Sequence, residues 1–106
     1  EIDFNGLVQN LLENAIEECC RIPESSERKI IWTIDQISEW IKIWVANSCN
    51  NTENIDFVTG KEDKKSHGWG VKIIKETVAA TGGRIDYIKA GTNQIHVEVF
   101  MPFAKL

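Results

Sequence analysis

Two asparagines one helical turn apart, a carboxylate near them, and a lysine-rich segment ending in paired glycines are the residues whose types and spacing could do chemistry. Asn10, Asn14 and Glu17 lie in a stretch whose apolar residues (Phe4, Leu7, Val8, Leu11, Leu12, Ala15, Ile16, Cys19) recur at the i, i+3, i+4, i+7 spacing of an amphipathic helix. At about 100° per residue from Phe4, Asn14, Asn10 and Glu17 fall at about 280°, 240° and 220°, flanking an apolar stripe centred at about 30°. Glu13, at about 180°, faces solvent. Asparagine is a mediocre helix former, so a pair bordering a buried face either bonds water and a neighbouring loop or holds a ligand. Amide carbonyls with a carboxylate suit a hard cation such as Mg²⁺, which keeps most of its waters and binds phosphates.

The second constellation is Lys61-Glu62-Asp63-Lys64-Lys65-Ser66-His67-Gly68-Trp69-Gly70, just ahead of helical periodicity at Val71, Ile74 and Val78. Five lysines stand against two acids between residues 61 and 75, in a chain whose net charge is −4. A basic segment in an acidic protein draws an anion. Gly68 and Gly70 let the backbone approach a ligand, and the helix start offers free N–H groups to phosphate. A solvated lysine run with a glycine hinge explains the same residues without any ligand.

The elements that must position these groups are legible in outline. Asp3 is a plausible N-cap for the first helix, which ends ahead of Pro23. The β-type runs Lys29 to Asp35 and Ile41 to Ser48 read as an antiparallel pair joined around Ser38-Glu39. Cys49 to His67 carries no period of either kind, which marks a functional loop. A second helix is predicted from near Gly70 to Gly82-Gly83, then strands Arg84 to Lys89 and Gln94 to Met101 around the turn Ala90 to Asn93, with Pro102 as terminator. Helix, strand, strand, loop, helix, strand, strand predicts an α+β two-layer sandwich, helices on one face of a largely antiparallel mixed sheet.

Composition bounds the rest. The chain has 106 residues, 42% apolar and 26% charged, which suits one globular domain (1–106) and excludes a disordered tail. No apolar run is long enough to span a bilayer, and Glu1-Ile2-Asp3 is unlike a signal peptide. The acidic balance, with a pI of 5.1, argues against nucleic acid as a partner. Cys19, Cys20 and Cys49 lack metal spacing and read as reduced, buried thiols. Trp32 and Trp44 read as strand packing, Trp69 as a loop anchor or a docking contact, and His96 as a surface or cross-strand residue.

In combination the motifs are specific. NLLENAIE (Asn10 to Glu17), followed by a long polar loop ending in HGWGVKIIKETVAATGG (His67 to Gly83), resembles the N-box and second glycine box of the Bergerat-type ATP-binding superfamily of gyrase, mismatch-repair ATPases and sensor histidine kinases. The stretch TGKEDKKSHGWGVKIIKETVAATGGRI is similar to the peptide-pheromone quorum-sensing histidine kinases of the accessory-gene-regulator type.

That resemblance implies a catalytic domain that binds Mg-ATP. Asn14 stands where the family coordinates Mg²⁺, with Asn10 as the second polar position near metal and phosphates. Gly68 and Gly70 match the glycines flanking the phosphates, with His67 and Val71 beside them. Residues 50–67 match the ATP lid, whose Lys64 or Lys65 reaches the terminal phosphates. The first glycine box departs from the pattern: Ala46-Asn47-Ser48-Cys49-Asn50 has neither Asp nor glycine. Asn47 either accepts from the adenine amine through its carbonyl, more weakly than a carboxylate would, or caps the strand end.

Asn10 also replaces the Glu that activates water in the superfamily's hydrolases, and an amide takes no proton at neutral pH. Kinase chemistry remains, because phosphoryl transfer needs mainly positioning and charge neutralisation. The implied partners are a dimerisation helix carrying the acceptor histidine, outside this chain, and a response regulator. The implied whole is a homodimeric, membrane-bound bacterial sensor with this domain in the cytoplasm. The alternative is an interaction module of the same fold that no longer binds nucleotide.

Overall fold

The computed structural model describes residues 3–50, 52 and 66–105. Helix α1 spans Phe4–Cys20, opened by Asp3, whose carboxylate accepts from the Gly6 N–H at 3.0 Å. Its inward stripe is Leu7, Leu11, Ala15 and Cys19, with Glu18 buried among them. After a single 3₁₀ turn, Ser25–Glu27, strands β1 (Ile30–Ile37) and β2 (Trp40–Ser48) form the expected hairpin, with Ser38 at φ 56° in its turn.

Helix α2 spans Ser66–Ala80 and strands β3 (Arg84–Lys89) and β4 (Gln94–Pro102) follow. The second helix thus begins at Ser66 rather than near Gly70, and Gly68 and Gly70 lie inside its first turns instead of ahead of it. A glycine in a helix costs only about 1 kcal/mol relative to alanine, so a glycine pair does not by itself set a helix boundary. At the other end Gly82, at φ +80°, and Gly83 close the helix, donating to the Ala79 and Val78 carbonyls at 3.0 and 3.2 Å.

The strand order is β1-β2-β4-β3, with every described pairing antiparallel and no parallel pair among the described strands. Register explains the layers. Ile41, Ile43 and Val45 of β2 stand opposite Met101, Val99 and Val97 of β4, and all six are buried against the two helices. Val71, Ile74 and Val78 of α2 complete this core. Burying each such side chain contributes about 1.5–3 kcal/mol, so the alternation commits one face of the sheet to the helices. The other face carries Lys42, Trp44, Glu98, Phe100 and Arg84, with a Lys42–Glu98 ion pair at 3.4 Å and the Arg84 guanidinium 5.2 Å from the Phe100 ring centre.

Two packing expectations fail at the margins. Trp32 lies on the helix side of edge strand β1 but is 49% exposed, because the helices cover β2, β4 and the opposite edge strand β3 and leave most of β1 bare. Cys20 is exposed, one position past the inward stripe, while Cys19 and Cys49 are buried as expected. Trp44 packs edge-on against His96, ring centres 5.3 Å apart.

Candidate functional site

The inner face of the sheet and the facing flank of α1 enclose a narrow cavity near the end of β2. Its floor is Val45, Asn47, Tyr87, Ile95 and Val97, and its walls are Leu11, Asn14, Ala15 and Glu18 of α1 with Val71 of α2. Residues distant in sequence, Asn14, Asn47 and Val71, are therefore brought to one place. The free volume is about 20 Å³, room for about one water, so a ligand larger than that enters only as α1 and α2 part.

The polar groups arrive there for separable reasons. Asn14 follows Leu11 by three residues on α1, which brings it to the border of the buried stripe. Its amide Nδ2 is buried and has no hydrogen-bond partner among the described residues. Such a group costs about 1–3 kcal/mol, and as an N–H donor it calls for an acceptor such as a phosphate oxygen, which leaves the Oδ1 of the same amide to face a cation. Asn47 shares the helix side of β2 with Ile43 and Val45, and is 4% exposed. Its Nδ2 donates to the Ser48 carbonyl at 2.9 Å, which leaves the side-chain Oδ1 as the atom for accepting. Asn10, one turn before Asn14, is half-buried and outside the lining of the cavity.

Glu18 is the residue that sequence reasoning missed. The flank carboxylate is not Glu17, which is exposed, but Glu18, which is 4% exposed and lines the cavity one turn after Asn14. The same wheel places Glu18 at about 320°, nearer the stripe than Asn14, so the signal was present. Arg21 approaches its Oε2 at 3.6 Å from the surface. The charge of Glu18 is felt locally: burial first, then the Glu18 carboxylate, push the Cys49 thiol above its ordinary pKa. Burial also holds the Tyr87 hydroxyl well above its usual value, so it stays protonated at neutral pH. Glu13 faces solvent as expected and accepts from Gln9 at 3.0 Å.

The expectations for Lys64 and Lys65, and for nearly all of the 50–67 lid, lie outside the described residues. His67, Gly68 and Gly70 are placed as backbone in the first turns of α2, so the free N–H groups of this helix belong to Ser66 through Trp69.

The donor set suits Mg²⁺ bound through phosphates. Asn14 and Asn10 are neutral oxygen donors, and no cluster of three or more His, Cys, Asp or Glu exists among the described residues to hold an ion unaided. A helix flank with a buried amide thus faces an antiparallel sheet, with the start of a second helix beside it.

Comparison with known proteins assigns the class: the sequence profile of the GHKL domain matches residues 1–102, and the chain belongs to that family. The architecture matches the histidine kinase domain of the blue-light activated histidine kinase of Erythrobacter litoralis, with TM-score 0.69 and 18% identity over 93% of this chain and 42% of that one. It also matches the same organism's blue-light activated kinase in a longer form (TM-score 0.68, 18% identity, 93% and 29% covered). A third match is the catalytic domain of the histidine kinase ThkA in a nucleotide-free form (TM-score 0.65, 21% identity, 92% and 63% covered). These likenesses show the fold, and the chain spans less than two thirds of each matched structure. No curated protein sequence matches it. No described helix is long and apolar enough to cross a membrane.

Proposed function

We propose that this domain binds Mg-ATP between α1 and α2 and presents the γ-phosphoryl group to a histidine on a dimerisation helix outside this chain. The observation that carries the reading is the buried, unpartnered Asn14 amide in one cavity with Asn47 and Val71. Asn14 and Asn10 would hold the metal, which when bound neutralises phosphate charge. The N–H groups at the start of α2, around His67, Gly68 and Gly70, would receive the phosphates, and Lys64 or Lys65 from the 50–67 lid would add positive charge. Asn47 would accept from the adenine amine.

Among the reaction classes open to a GHKL domain, transfer to an external nucleophile fits best, because an amide at Asn10 supplies no base for water. The imidazole nitrogen would attack the γ-phosphorus as the bond to the β–γ bridging oxygen breaks, releasing ADP, with the remaining ring N–H proton passing to solvent. The motif resemblance extends the reading to a sensor of the accessory-gene-regulator type, homodimeric, membrane-bound and signalling to a response regulator, with this domain on the cytoplasmic side.

Isothermal titration of ATP with Mg²⁺ against the wild type, Asn14→Asp and Gly68→Ala tests the site. Binding that is undiminished in both variants would remove the assignment. Labelled ATP supplied together with the kinase's own acceptor helix tests the chemistry: label on histidine supports transfer, and the absence of both ATP binding and transfer favours the interaction module that no longer binds nucleotide.

A further inference from the structure

The cavity contains a buried carboxylate that the reading above leaves without a role. We propose that Glu18 is the carboxylate that recognises the 6-amine of the purine, taking from helix α1 the part that the strand end, with Asn47, leaves to a neutral amide. This rests on the nucleotide-binding reading and specifies which base the site accepts.

The geometry orders the cleft along α1. Asn10, Asn14 and Glu18 are spaced i, i+4, i+8, each step rising about 6 Å along the helix. The unsatisfied amide of Asn14 marks the middle of that row, and Glu18 marks the end at which its neighbour Cys19 reaches the Ser48 carbonyl, next to Asn47 near the end of β2. A base and its phosphates are separated by the ribose, so metal and phosphates belong with Asn10 and Asn14, and the base belongs with Glu18 and Asn47.

The chemistry at that end is that of acceptors. One N–H of the Asn47 amide goes to the Ser48 carbonyl, while its Oδ1 and the Glu18 carboxylate oxygens are acceptors. A carboxylate has about four lone-pair sites, enough to keep Arg21 at 3.6 Å and still meet an N–H group. Val45, Val71, Ile95 and Val97 supply apolar surface for a ring face. Two acceptors above an apolar bed select a group that presents N–H, as adenine does at position 6, and leave a buried charge poorly matched when that group is missing.

The test measures binding of two nucleotides to the wild type and to Glu18→Gln, with Mg²⁺ present. They are ATP and purine riboside triphosphate, which is ATP without its 6-amine. The expected result is a wild type that prefers ATP, and a Glu18→Gln variant in which ATP binds roughly tenfold more weakly while the amine-free nucleotide is held within about twofold. Glu18→Asp, which keeps the charge and withdraws it by one methylene, is the second variant, and its preference is expected to fall between the two. Near-UV circular dichroism confirms that each variant keeps its tertiary packing. Equal weakening of both nucleotides, or an unchanged preference in both variants, overturns the assignment of Glu18 while leaving the nucleotide site intact. Failure of the wild type to bind ATP at all is a different outcome, which removes the site reading itself.

Discussion

The Cys19 thiol and the Asn47 side-chain amide converge on one oxygen, the Ser48 carbonyl, which Asn47 reaches at 2.9 Å and Cys19 at 3.5 Å. The thiol also lies 3.5 Å from the Lys29 carbonyl. A buried thiol on α1 thus ties the helix to both strands of the first hairpin, beside the amide that the proposed base-binding end depends on.

Cys19→Ala removes both sulfur contacts and leaves a small void. We expect a loss of about 1–2 kcal/mol of stability, read from the urea midpoint, with Cys19→Ser recovering part of it through its own hydrogen bonds. A midpoint unchanged by Cys19→Ala would show that the helix–hairpin junction is held by the apolar contacts alone.

Thiol labelling should separate the three cysteines. Cys20 is exposed, whereas Cys19 and Cys49 are buried and their thiols are pushed above their ordinary pKa, chiefly by burial. Because the thiolate is the nucleophile, iodoacetamide at mildly alkaline pH should modify one site quickly and two only on unfolding. Mass spectrometry of the labelled peptides checks this, and rapid modification of Cys49 would contradict the packing described above.

Alkaline pH should destabilise the fold. Cys19, Cys49 and Tyr87 hold their protons more tightly folded than unfolded, so above about pH 8.5 the native state binds more protons than the denatured state. Their contribution is complete below that pH and declines as pH rises through the folded values. Urea unfolding at pH 7 and pH 10 should show the lower midpoint at pH 10.

Asn14→Met should separate stability from ligand capture. Deleting a buried, unpartnered amide relieves about 1–3 kcal/mol of desolvation cost, so the variant should be at least as stable as the wild type yet fail to bind Mg-ATP. A clear loss of stability would mean that this amide serves the fold rather than a ligand.

The two glycines after α2 should respond for different reasons. Gly82→Ala has open space but must hold φ +80°, which costs about 1–2 kcal/mol. At Gly83 a Cβ would run into the Phe100 carbonyl oxygen, which is backbone and cannot step aside, so Gly83→Ala should cost more. Thermal unfolding of the two variants ranks them, and a larger loss at Gly82 would contradict the close approach of the α2–β3 turn to β4.

Local chemistry made most of the elements readable in the bare chain. The helical recurrence of apolar residues from Phe4 onward was enough for α1, as Asp3 was for its start, Ser38-Glu39 for the first hairpin and Gly82-Gly83 for the end of α2, because each depends on neighbours within a few residues. Asn14 was legible as a candidate for the same reason, a polar residue at the edge of an apolar pattern, whereas Asn47 became one only through the motif resemblance. What only the tertiary structure decided is which of them meet. Helical periodicity already puts Glu18 nearer the buried stripe than Glu17, but that Glu18 shares one cavity with Asn47 and Val71 follows only from how α1 and α2 pack over the sheet. The same placement leaves Trp32 bare on β1, since the two helices lie over β2, β4 and β3 and reach little of the β1 edge. Periodicity assigns a residue to a face, whereas its depth in a cavity is the sum of contacts from elements far along the chain.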